Sequence, residues 1–175
     1  MITLQVKTGD EKDKKDVEIG VPEKVAFMSG LIKQMIDSNT GDGDEEGSSA
    51  EEKVEVPLPN VTEPILRKCL EFMDKYSDEA PKAIEKPLRS QNMKEVVPEW
   101  DANYINVKQE MLFEIILAAN YLDVKTLLDL ACAKVASLIK GKTPKEIRET
   151  FNVTEDFTPA EEIKVRTENP WLEDV

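Results

Sequence analysis

The stretch QEMLFEIILAANY, Gln109 to Tyr121, carries Met111, Leu112, Ile115, Ile116, Ala118 and Ala119, so apolar residues occupy most of a helical circumference. A helix of that kind is stable only when other elements cover it, which makes it the centre of the core. Directly after it, Asp123 suits the cap of a further helix. That helix carries Leu127, Leu128, Ala131, Val135, Leu138 and Ile139 at helical spacing, with Gly141 as its left-handed stop.

Working toward the N-terminus, regular structure is expected from about Trp100, preceded by a charged segment, residues 77–97, that Pro81, Pro87 and Pro98 punctuate. It reads as a flexible loop or crossover. Before it, Ile65, Leu66, Cys69, Phe72, Met73 and Tyr76 mark a helix capped by Asn60 or Thr62, and Val54, Val56 and Leu58 alternate as a strand. Residues 38–53, SNTGDGDEEGSSAEEK, hold no large apolar side chain, so burial cannot offset the entropy of ordering them, and a mobile acidic loop is expected. One helix is predicted from Glu23 to Asp37, with Pro22 in its first turn. Ile2, Leu4 and Val6 alternate with polar residues, as do Val17, Ile19 and Val21, giving a hairpin turned by the charged segment Gly9 to Asp16. The order is β-β-α-β-α, an α/β (α+β) domain on a three-stranded sheet.

Toward the C-terminus, Thr143-Pro144-Lys145-Glu146 and Thr158-Pro159-Ala160-Glu161 each set Thr at the cap, Pro at the first helical position and Glu at the third. Two short helices follow, one with Ile147 and Phe151, the other with Ile163 and Trp171. Their apolar residues are too few for a core of their own, so either the main domain or a partner's helices must cover them. The division is therefore 1–141 for the main domain and 142–175 for a helical extension.

Composition excludes much. The 175 residues hold 36 acidic and 23 basic side chains, a net charge of -13, which repels phosphate backbones and anionic lipid surfaces, so neither nucleic acid nor a membrane is an expected partner. No run approaches the roughly 18 apolar residues that cross a bilayer, and the N-terminus lacks an uninterrupted apolar signal region. Histidine is absent, which removes the usual catalytic triads, imidazole zinc ligands and near-neutral acid/base groups. The carboxylates fall in loops and on polar faces, as solvated charge does. No catalytic residue, metal or cofactor is expected. Cys69 and Cys132 lie in apolar helical patterns and read as unpaired thiols. Gly141-Lys142-Thr143 resembles the end of a phosphate loop, but Ala136 stands where its first glycine belongs and a helix, not a strand, precedes it.

From Trp100 on, the chain resembles the Skp-type adaptors of SCF ubiquitin ligases: PEWD at 98–101, LFEIILAANYLD at 112–123, IKGKTPKEIRETFNV at 139–153 and DFTPAEE at 156–162, then Glu168-Asn169 and Trp171. The N-terminal half agrees through its element order and VPLPNV at 56–61. Departures are the long acidic loop, Leu172 where a cysteine is common, and Pro170 within the last helical pattern. Elongin C, similar in architecture, lacks an extension like 142–175.

The resemblance implies a BTB/POZ-like domain with a C-terminal extension that binds F-box proteins, and a role in the ubiquitin conjugation pathway. It implies an adaptor that bridges an F-box substrate receptor to a cullin, reaching a RING protein only indirectly, in cytoplasm and nucleus. By position, Asn120 and Tyr121 map onto the cullin-facing turn, while Leu128, Cys132, Val135, Ile139, Lys140, Ile147, Phe151 and Trp171 map onto the F-box face. Each has a plainer reading beside it: Asn120 and Tyr121 as a helix end, Leu128 and Val135 as internal core. In some protist members the proline matching Pro159 undergoes oxygen-dependent hydroxylation, although a helix start accounts for Pro159 by itself. The competing function is a BTB-like structural or assembly subunit that associates with itself, using the same surfaces in a homodimer and taking no part in ubiquitin transfer.

Overall fold

The computed structural model describes residues 2–8, 15–40, 55–153 and 157–170. Strands β1 (Ile2–Thr8) and β2 (Lys15–Val21) form the antiparallel hairpin that the alternation predicts, pairing Leu4 with Ile19 and Ile2 with Val21. Strand β3 (Glu55–Thr62) lies parallel to β1 on its other side, so the order is β2-β1-β3. Because side chains alternate between faces, laterally paired Leu4, Ile19 and Val56 fall on one face, and all three are buried. The opposite face presents Glu18, Gly20, Pro57 and Pro59 to solvent.

Helix α3 (Glu63–Lys75) lays Ile65, Leu66, Cys69, Phe72 and Met73 on the core. Thr62 is its N-cap by position, but the hydroxyl makes no capping bond and Pro64 opens the helix instead. Helix α6 (Gln109–Tyr121) has the bounds that periodicity predicts and packs between α3 and α7 (Lys125–Ile139). Fully burying Leu112, Ile115 and Leu127, each 0–1% exposed, contributes about 1.5–3 kcal/mol apiece. The prediction that α6 is covered nearly all round fails on one side: Leu117 is 70% exposed, with Met111 and Phe113 also exposed.

Residues 77–92 hold no strand or helix, and α4 (Met93–Val96) is a single turn. Met93 and Val97 are nonetheless buried. Helix α5 (Glu99–Tyr104) then stacks Trp100 on Tyr104 at 5.0 Å between ring centroids and sets both beside Phe72. Asp101 is buried and accepts a 2.6 Å hydrogen bond from the Tyr76 hydroxyl, and the Tyr104 hydroxyl donates to the Lys68 carbonyl at 2.6 Å. Burial, with the adjacent Asp101 carboxylate, raises the Tyr76 phenol above its ordinary value.

Two further expectations are corrected. The single helix from Glu23 to Asp37 is two, α1 (Glu23–Ala26) and α2 (Gly30–Thr40), broken at Phe27–Ser29. The break serves a contact that periodicity cannot register. Ser29, wholly buried, donates from its hydroxyl to the Leu122 carbonyl at 2.5 Å and accepts the Ile32 N–H. The second correction is Asp123: it sits in the left-handed region (φ 52°) and does not cap α7, whose N-cap is Val124, without a side-chain bond. Helix α2 also continues to Thr40, three residues into the segment expected to be loop. Residues 41–53 of that loop lie outside the described residues.

Gly30 meets the Asp123 side chain so closely that an added Cβ would collide with its carboxylate. Gly30→Ala should therefore destabilise the domain by about 1–3 kcal/mol, as overpacking does. Adding Asp123→Gly should recover most of the loss, since glycine removes the obstacle and suits the positive φ. Thermal melts of the parent, the single variants and the pair check this, and no recovery in the pair would contradict it.

Candidate functional site

Two stretches of surface carry the residues singled out above. On α6, Phe113, Leu117, Asn120 and Tyr121 are spaced four, three and one apart, which places them on one side of the helix. Asn120 is exposed, whereas Tyr121 is half-buried and packs against the core. Both stand in the last turn of α6, as the plainer reading has it, and backbone bonds close that end: Leu122 N–H donates to Ala118 O and Val124 N–H to Ala119 O, both at 2.8 Å. The exposed Asn120 side chain stands beside an uncovered Leu117.

On α7, Leu128, Cys132, Val135 and Ile139 recur at four, three and four residues and form one outward stripe. Leu127, Leu130 and Ala131 form the inward one. Leu128 and Val135 are neither wholly core nor wholly surface. Each is half-buried, touching the core with one side of its side chain and facing out with the other. Cys132 and Lys140 are exposed and Ile139 is 36% exposed.

Gly141 takes the left-handed conformation (φ 69°) and turns the chain into α8 (Pro144–Phe151). Gly141-Lys142-Thr143 is therefore an inter-helix turn, with Thr143 as the α8 cap. Ile147 and Phe151 are half-buried, and the Phe151 ring lies 6.1 Å from that of Phe113, which ties α8 to the exposed side of α6. Helix α9 (Pro159–Glu168) follows with Ile163 66% exposed. Pro159 is exposed at its first position, and Trp171 lies outside the described residues.

Both capping boxes form in full. Thr143 N–H donates to the Glu146 carboxylate at 2.8 Å and Glu146 N–H to the Thr143 hydroxyl at 3.3 Å; Thr158 and Glu161 repeat this at 2.8 and 3.4 Å. Those donors hold the Glu146 and Glu161 carboxyls below the ordinary glutamate value. The Cys69 thiol, by contrast, is pushed up to about 12 by burial, which keeps it protonated and inert. Among the described residues, no group of three or more His, Cys, Asp or Glu side chains is placed to hold a metal ion. None of the described helices is long and apolar enough to cross a membrane.

Sequence reasoning missed Phe113 and Leu117. Both fall in a helix whose periodicity says "buried all round", and only the packing of α3 and α7 shows which side stays bare. Phe157 and Val153, 57% and 50% exposed, add apolar surface around the extension.

Residues 7–78 match the model of the Skp1 family tetramerisation domain, and residues 125–172 that of the Skp1 family dimerisation domain. A relative in Tetrahymena thermophila, an S-phase kinase-associated protein 1 homolog, is 53% identical over 157 residues, which cover 89% of this chain and 88% of the relative. The chain belongs to the Skp1 family. Its fold, a mixed three-stranded sheet with helices, is the POZ-like one of that family. Among other Skp1-like relatives, one from Arthroderma otae named E3 ubiquitin ligase complex SCF subunit sconC is 46% identical over 158 residues, 90% of each chain. Another of that name from Talaromyces marneffei is 44% identical over 90% of this chain and 92% of the relative.

The capping boxes generate a pH prediction. A carboxyl whose folded-state value is lowered contributes stability that is fully present above its unfolded value, about 4.3 for Glu. That contribution disappears as pH falls through the lowered folded value. Helix α8 and α9 order should thus be constant from neutral pH to about 5 and fall below about 4.3. Amide NMR of residues 144–151 and 159–168 should show it, with Thr143→Ala and Thr158→Ala lowering order at neutral pH and flattening the dependence. An unchanged profile in those variants would refute the assignment.

Proposed function

We propose that this chain is the adaptor of an SCF-type E3 ubiquitin ligase: it joins an F-box substrate receptor to a cullin, makes and breaks no bond itself, and reaches a RING protein only through the cullin. One observation carries the reading. A chain 53% identical to an S-phase kinase-associated protein 1 homolog leaves large apolar side chains uncovered on α6 and along α7 to α9, the surfaces that two different partners would need.

On this reading the cullin docks on the side of α6 that carries Asn120 and Tyr121, with Leu117 supplying apolar contact beside them. The receptor's F-box docks on Leu128, Cys132, Val135, Ile139 and Lys140 of α7 and its C-terminal end, on Ile147 and Phe151 of α8, and on Trp171. Stripes at helical spacing suit the laying-in of partner helices, where apolar anchors supply most of the affinity. On this reading the chain acts in cytoplasm and nucleus. Pro159 is accounted for as the first residue of a capped helix, yet its ring is exposed and open to an oxygen-dependent hydroxylase, so it stands as a modification site within the same proposal. Peptide mass spectrometry of the native protein should find Pro159 16 Da heavier as hydroxyproline, about one oxygen atom; an unmodified residue in ample oxygen removes this part.

Asn120→Lys with Tyr121→Lys, and separately Leu117→Lys, should weaken cullin binding by about tenfold or more and leave F-box binding unchanged. Val135→Lys should do the reverse. Titration calorimetry with purified cullin N-terminal domain and F-box domain reads both arms. Equal loss of both partners in a folded variant, or binding of neither partner by the parent chain, would overturn the assignment.

A further inference from the structure

Between α7 and the segment 84–88 runs an open groove of about 370 Å3. Cys132 and Ala136 form its floor, Pro87 and Leu88 its wall, and Lys86 and Lys140 stand at its rim. Two side-chain bonds, one within the wall and one just after it, tie this stretch to α7. Lys86 Nζ donates to Asp129 Oδ1 at 2.9 Å, and Gln91 Nε2 donates to the Lys140 carbonyl at 2.5 Å. The second bond also satisfies a carbonyl at the open end of α7.

Three features say what would fill it. Its volume is near the low end of the roughly 300–1,000 Å3 of ligand sites, room for a side chain but not for another helix. Its rim is cationic in a chain of net charge -13: Lys140 has no ion-pair partner among the described residues, and an ammonium with three donors can keep Asp129 and still take a second carboxylate at Lys86. The groove also shares Cys132 and Lys140 with the proposed F-box face, so a chain lying along α7 would arrive at its mouth.

We propose that this groove is a specificity subsite for the bound substrate receptor: it takes one bulky apolar side chain (Leu, Met or Phe) next to an Asp or Glu, from a segment adjoining the receptor's F-box helices. The inference rests on the adaptor reading above. The helix-docking stripe of α7 would bind F-box helices of any receptor alike, whereas the groove favours receptors that supply the acidic-apolar pair. The segment 84–88 is in this view a wall of the site and not only a connection between helices.

The test uses the full chain with a purified F-box domain from the same organism that carries an acidic-apolar pair beside its helices. Ala136→Trp fills the groove from an exposed floor position, and Lys86→Glu reverses the rim on an exposed side chain; each should weaken binding by about tenfold. The Lys86→Glu loss should shrink as salt rises. Methyl NMR should show Ile84 and Leu88 shifting in the complex, with contacts to the receptor's apolar side chain. Melting curves confirm that the variants fold, and Lys86→Glu keeps the test open if Ala136→Trp does not. If Val135→Lys abolishes binding while both groove variants bind like the parent, the subsite is wrong and the adaptor reading stands. If the parent binds no F-box domain, the adaptor reading fails and the subsite with it. Ile84 and Leu88 shifts that grow with protein concentration alone would assign the groove to a second copy of this chain and overturn the proposal.

Discussion

The turn that ends α6 is fixed from outside by the start of α2. A buried Ser29 hydroxyl reaches the Leu122 carbonyl, and the Gly30 and Leu31 amides donate to the Asp123 and Leu122 carbonyls at 3.3 Å each. Leu122 is itself wholly buried. Carbonyls at a helix end lack internal partners, and leaving them unpaired in a core costs about 1–3 kcal/mol each. Supplying donors from a segment more than ninety residues earlier stabilises the turn and also joins the sheet's crossover to the helical half. Where α6 stops, and hence where Asn120 stands and α7 departs, follows from that junction.

From there the two central helices divide their surfaces differently. Helix α7 is amphipathic in the ordinary way, with Leu127, Leu130 and Ala131 inward and the stripe from Leu128 to Ile139 outward. Helix α6 is apolar on both sides, and only one side is covered. A Leu at 70% exposure adds little to the stability of the free chain, and with Phe113 it leaves apolar surface beside Asn120. The contact of Phe113 with Phe151 then carries the apolar surface of α6 over to α8, and two partners seated on the two faces would meet near it.

The extension obeys a different physics. Helices α8 and α9 are started by local chemistry, a Thr, a Pro and a Glu in four residues, and α8 has no residue that is fully buried. Reciprocal capping defines where each helix begins without tying it to the core. Such helices can be well formed and still loosely held, a suitable state for a surface that closes around a partner.

Local signals were legible in the sequence: alternation gave the β1–β2 hairpin, periodicity gave both ends of α6, and the two Thr-Pro-x-Glu strings gave the starts of α8 and α9. What was not legible depends on residues distant in the chain. The break at Ser29 looks like continuous helix until Leu122 is placed beside it, and Asp123 looks like a cap until Gly30 crowds it. Phe113 and Leu117 share the pattern of their buried neighbours because periodicity reports how apolar a face is and not what covers it. The candidate F-box stripe on α7 could be read as spacing, but its half-buried character and the groove formed with residues 84–88 could not. The sequence by itself determined the hairpin, the bounds of α6 and the capped starts of α8 and α9, because those are set by neighbours within a turn or two. Tertiary structure alone decided which apolar faces remain bare, since exposure is a property of what packs against a helix.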